Sequence, residues 1–139
     1  MRIVCDTNVL VSALIWGGMP GRVLDRVEAG EDKLFMSPPL LSELGEVLAY
    51  PRIARVLERR GLSCHDILEA VASIADIVAA PTHPLRVVPD DPDDDHVLAC
   101  AKAAQANAIV TGDHHLLQLG EWEHVKILTP SSFLEMFND

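Results

Sequence analysis

Ile109-Val110-Thr111-Gly112-Asp113 is the stretch on which the fold turns: a short apolar run that stops at a polar turn and an acid. Ile3-Val4-Cys5-Asp6-Thr7-Asn8 has the same form near the N-terminus. Runs this short and apolar read as strands covered on both faces, the kind that parallel sheets use. By the same pattern, strands are expected at 2–6, 34–36, 86–88, 108–111 and 125–128. Helical segments are expected after Asn8 and at 20–29, 38–49, 51–60, 93–105, 114–117 and 131–137. A longer helix should start at Ser63 or Cys64, because Ile67, Val71, Ile74 and Val78 repeat at helical spacing. Gly17-Gly18, Pro20-Gly21, Gly30 and Gly61 mark breaks, and Ser37-Pro38-Pro39 has the N-cap and first-turn prolines of a helix start. Strands alternating with helices predict an α/β domain with a parallel sheet, and ligands in such sheets bind beyond the carboxyl ends of the strands.

The 139 residues suffice for one core, and 49% hydrophobic content argues against disorder. We therefore expect a single domain over 1–139. Asp6 and Asn8 interrupt the N-terminal apolar stretch where a signal peptide needs its apolar centre. No run reaches the roughly 18 apolar residues of a membrane span, so a soluble, cytoplasmic protein with no membrane association is expected. Cys5, Cys64 and Cys100 are too few and too dispersed for a disulfide framework. His96 and Cys100 have ligand spacing on a helix, but no second pair accompanies them for structural zinc. The formal net charge of −10 opposes nucleic-acid binding unless many of the acids gather to hold cations.

Several acids do point to one place. Asp6 and Asp113 follow two predicted strands, so both belong on the carboxyl rim. In the helix over 93–105, Asp94 falls between the directions of Val97 and Leu98, on the inward face, while Asp95 is turned about 100° toward the flank. On the helix over 38–49, Glu43 lies at the margin of the apolar face between Leu40 and Val47, and Glu46 faces water. Carboxylates brought together repel, so such a site holds cations or stays partly protonated. Oxygen donors of this kind suit Mg²⁺ or Mn²⁺. A calcium loop starting at Asp91 fails, because His96 stands where glycine is required and Lys102 where the bidentate glutamate belongs.

These segments, together with Ser42-Glu43 and Asp91-Pro92-Asp93-Asp94-Asp95-His96-Val97-Leu98-Ala99-Cys100-Ala101, resemble the PIN domain in order and spacing over nearly the whole chain. They look most like its VapC-like branch, toxins of toxin–antitoxin systems, and Leu128-Thr129-Pro130 with the last helix resembles that branch's ending. The resemblance implies a three-layer α/β/α fold with a short, mostly parallel central sheet. It also implies a Mg²⁺- or Mn²⁺-dependent endoribonuclease that leaves a 5′-phosphate and a 3′-hydroxyl. The family's acidic positions fall on Asp6, Glu43, Asp94 and Asp113, with Asp95 as a further metal ligand and Asn8, Thr111 and Asp91 in support. Members often carry another acid two residues after the last one; here that residue is His115.

An acidic chain needs cations of its own to hold RNA. Arg52, Arg55, Arg59 and Arg60 cluster on one segment, and Arg22 and Arg26 lie four apart, so either group can track a phosphate backbone. An antitoxin segment could use the same groove, and the resemblance implies a homodimer, for which the helices over 51–78 offer a surface. Two other readings stand beside the nuclease. One is a catalytically silent binding or regulatory module, which His115 keeps open. The other is a phosphotransfer domain with Asp6 as acceptor, which lacks a well-placed lysine.

Overall fold

The two quoted stretches pair directly. In the computed structural model, which describes residues 1–80 and 92–137, Ile3, Val4 and Cys5 lie opposite Ala108, Ile109 and Val110 in parallel register. The strands are β1 (Arg2–Cys5), β2 (Lys33–Met36), β3 (Ala75–Ile77), β4 (Ala108–Val110), β5 (Glu121–Trp122) and β6 (Val125–Leu128). Their order in the sheet is β3-β2-β1-β4-β6-β5, and every neighbouring pair is parallel except β5 with β6. Ile3, Val4, Ala108, Ile109 and Val110 have no exposed surface. Their apolar sequence is thus explained by cover on both sides.

The cover comes from α1 (Thr7–Ile15), α2 (Gly18–Glu28), α3 (Pro38–Leu48), α4 (Pro51–Arg59), α5 (Cys64–Ile74), α6 (Pro92–Ala104), α7 (His114–Leu117) and α8 (Pro130–Glu135). α2 packs on α1 and α8; α6 packs on β1, β2, β4 and α3; α3 also meets α1, α4 and α5. This is the expected three-layer α/β/α arrangement. No helix among the described residues is long and apolar enough to cross a membrane.

Three elements depart from expectation. The helix expected to continue through Val78 ends at Ile74, and Ala75–Ile77 turns into strand β3 beside β2. Val78 donates to the Met36 carbonyl at 2.8 Å, so this edge is held by backbone pairing rather than by a helical face. Strand β5 was not anticipated because its hairpin carries no Asn-Gly signal. Glu123 and His124 fill the two turn positions at φ 46° and 70°, the left-handed geometry that such turns demand and that glycine or asparagine usually supplies. The strand expected at 86–88 lies outside the described residues. The second helix begins at Gly18 rather than Pro20: Gly17, at φ 76°, turns the chain straight from α1 into α2.

α6 is the support for everything that follows, and Leu98 is its largest fully buried side chain. Truncating Leu98→Ala should lower unfolding free energy by about 2–5 kcal/mol, read as a shift of the urea midpoint with an unchanged slope.

Candidate metal centre

Parallel strands paired in register end together. With Cys5 opposite Val110, the next residues of each strand, Asp6 and Thr111, emerge side by side at the carboxyl edge. The Asp6 backbone N–H donates to the Val110 carbonyl at 3.2 Å, carrying the ladder one step further. From β1 the chain passes to β2 and β3 on one side, and β4 and β6 lie on the other, so this edge is the point where the winding reverses. That is where α/β sheets open a crevice for ligands.

Asp6 is buried, at 6% exposure, and holds two posts. One carboxylate oxygen caps α1 by accepting the Val9 N–H at 2.9 Å. The other accepts the hydroxyl of Thr111. The same Thr111 oxygen accepts the backbone N–H of Asp113 at 2.9 Å. Asp113 in turn caps α7, accepting N–H groups from His115 at 2.7 Å and Leu116 at 3.4 Å. One buried hydroxyl therefore ties the two acids to each other. Burial pushes the Asp6 carboxyl above the usual carboxylate range; the Thr111 and Val9 hydrogen bonds oppose the rise, and the charge of Asp113 adds to it.

Asp6, Glu43, Asp94 and Asp113 line a single cavity of about 490 Å³. Asp94 enters from the first turn of α6 and is buried; Glu43 enters half-buried from α3, while Glu46 faces solvent. Asp94, Asp113 and His115 each offer a ligand atom, and these atoms lie within 4.8 Å of one another. Nδ1 of His115 is 3.7 Å from Oδ1 of Asp113. Carboxylates crowded round one cavity, with Asp6 already resisting ionisation, make a donor set that a divalent cation would relieve. The residues present fit such an ion.

Of the other residues singled out in the sequence, Asn8 stands exposed on the cavity wall and Thr111 is wholly buried behind it. Asp95, turned toward the flank, is not part of the cavity wall, yet it is 3% exposed and as buried as Asp94. The reason is that α6 is enclosed nearly all round, with Val97 through Ala101 all buried, so a flank at its start is not solvent. Asp91 lies outside the described residues. Arg52 lines the cavity, and Arg55 and Arg59 follow it along the exposed side of α4, opposite the buried Ile53 and Leu57. Arg22 and Arg26 are elsewhere. Arg26 is paired with Glu31 and Asp32, each at 2.8 Å, and stacks on Phe137, so its charge is already spent on the fold.

Two aromatic residues of the wall are not marked by any motif in the sequence. Trp16, 61% exposed, and Tyr50, 56% exposed, flank the opening, and the guanidinium of Arg60 lies 5.1 Å from the Trp16 ring. Trp16 is the C-cap of α1 and Tyr50 the N-cap of α4, where each looks like an isolated surface aromatic. The available signal was their rarity, since the chain has two Trp and one Tyr.

The family model of the PIN domain matches residues 2–115. The chain belongs to the PIN domain family. Across 148 aligned positions this PIN domain is 32% identical to the uncharacterized protein MJ1680 of Methanocaldococcus jannaschii, covering 99% of the chain and 92% of that relative. Its fold is similar to that of VapBC2 from Rickettsia felis, solved bound to a DNA fragment from their promoter. The TM-score there is 0.62, with 14% identity, covering 91% of this chain and 97% of that one. It is also similar to PAE2754 from Pyrobaculum aerophilum, with a TM-score of 0.64, 17% identity and coverage of 99% and 90%. At these identities the likeness is one of fold.

The raised carboxyl of Asp6 makes a stability prediction for the metal-free PIN domain. The folded state binds this proton more tightly than the unfolded chain does. Its contribution is fully present below the unfolded carboxylate pKa and is lost as pH rises through the folded one. Asp6→Asn keeps the cap and carries no charge to desolvate. In EDTA the variant should therefore melt above wild type at neutral pH, with the gap closing as pH falls into the unfolded carboxylate range. A gap that does not change with pH would remove the assignment.

Proposed function

We propose that this PIN domain is a divalent-metal-dependent endoribonuclease, the toxin of a toxin–antitoxin pair. The observation that carries the reading is the convergence of Asp6, Glu43, Asp94 and Asp113 on one cavity at the strand ends. Asp6, Asp94 and Asp113 would hold Mg²⁺ or Mn²⁺, with Glu43 on the wall of the same cavity. When bound, the ion supplies Lewis acidity toward a phosphodiester and neutralises the charge that develops on it.

The chain's own residues do the rest. The Thr111 hydroxyl and the α1 and α7 caps fix Asp6 and Asp113 before substrate arrives, so no reorganisation is needed at the moment of reaction. Glu43, half-buried and on the cavity wall, would take a proton from an attacking water. Arg52, with Arg55 and Arg59 behind it, gives an otherwise acidic molecule a local cationic stripe leading to the cavity. Trp16 and Tyr50 offer flat faces at the opening, and unpaired bases stack on such faces whereas bases within a duplex are not free to. Within the ribonuclease reading, these faces favour a single-stranded over a duplex substrate. An antitoxin is the expected partner, on the likeness of fold to the Rickettsia felis VapBC2 protein.

Cleavage of a single-stranded RNA in Mn²⁺ should stop on adding EDTA and should fall by about 100-fold or more in Asp6→Asn and Asp113→Asn. Unchanged turnover in both variants sinks the assignment, and a chain that binds Mn²⁺ without cleaving is a silent PIN-fold module instead. Trp16→Ala removes binding rather than chemistry. It should raise KM for single-stranded RNA by about 5-fold or more with kcat held, the signature of a lost stacking contact.

A further inference from the structure

We propose that the imidazole of His115 is itself a ligand of the ion in this site, and that it turns the site's preference from Mg²⁺ toward first-row transition ions such as Mn²⁺ and Co²⁺. The inference rests on the metal-dependent reading above. By sequence, His115 looks like the loss of an acid. In space it stands with Asp94 and Asp113, each of the three offering a ligand atom, all within 4.8 Å of one another. Ligand atoms on opposite sides of one small ion, each about 2.1 Å from it, are separated by roughly 4.2 Å, so closure onto a common ion needs only a small adjustment.

The backbone makes this proximity durable. The His115 N–H donates to Asp113 Oδ1 at 2.7 Å, so the turn that carries the imidazole is fastened to the acid beside it. His115 is exposed, and Nδ1 of its ring already lies 3.7 Å from Oδ1 of Asp113. The adjacent His114 differs: its Nε2 lies 2.9 Å from the Gln118 amide nitrogen, and it is absent from the cluster.

The chemistry of the exchange is specific. Mg²⁺ is a hard ion that takes oxygen donors and keeps its waters. An imidazole nitrogen in place of a carboxylate oxygen removes a charge that Mg²⁺ would use and supplies a donor that transition ions accept, with affinity rising from Mn²⁺ to Co²⁺. A neutral ligand also lessens the crowding of negative charge around Asp94 and Asp113.

The test is direct binding, measured by calorimetry with Mn²⁺, Co²⁺ and Mg²⁺, alongside electron spin-echo spectroscopy of the Mn²⁺-loaded wild-type chain. The spectrum should show nitrogen modulation that changes on ¹⁵N-histidine labelling and disappears in His115→Ala. That variant should bind Mn²⁺ and Co²⁺ at least about tenfold more weakly with little change for Mg²⁺. His115→Asp should bind Mg²⁺ more tightly, and His114→Ala should match wild type. Tight Mn²⁺ binding with no histidine nitrogen signal and an unaltered His115→Ala variant overturns the proposal alone. Failure of the wild-type chain to bind any of the three ions overturns both the proposal and the nuclease reading.

Discussion

The parallel register of β1 against β4, with Cys5 opposite Val110, is the constraint from which the site descends. It obliges Asp6 and Thr111 to leave the sheet at the same level, and two residues later Asp113 leaves beside them. Burying one acid and setting another beside it is unfavourable, and the raised pKa of Asp6, owed first to burial and further to the charge of Asp113, is the mark of it. The fold accepts the cost because the surrounding groups are already useful to it. Both acids cap helices, and Thr111, buried between them, satisfies one and is satisfied by the other. The cluster is thus assembled by hydrogen bonds that would exist in the apo protein whether or not an ion ever entered.

Overall charge is a poor guide to such a molecule. A net charge of −10 is what a nucleic-acid binder should avoid. Part of that negative charge, however, is lodged in a cavity where cations would answer it, while three arginines lie in line on α4. What a polyanion meets on approach is set by this local arrangement, because exposed charges further away than about 8 Å are largely screened at physiological salt.

The parts of the fold legible in the sequence were those with a local cause. A strand that ends in an acid announces both the strand and the rim, and helix phase separates Glu43 from Glu46. What stayed hidden had no local cause. β3 follows α5 without a glycine or proline to mark the change, so the apolar spacing of Ile74 and Val78 reads as more helix. The β5 hairpin turns on Glu123 and His124, residues that do not advertise a left-handed backbone. Asp95 is enclosed because α6 is, a fact about neighbours rather than about its own periodicity. Trp16 and Tyr50 come together from different helices, and His115 joins Asp94 across a distance in sequence that no motif spans.

The double employment of Asp6 has a historical consequence. A helix cap at that position is required by α1 irrespective of chemistry, and asparagine serves as a cap about as well as aspartate. A descendant released from any need to hold a cation would therefore drift toward asparagine or serine there, and not toward alanine. Architecture and reactivity are inherited through the same side chain, yet a single change of oxygen to nitrogen parts them, leaving an intact scaffold free for another occupation.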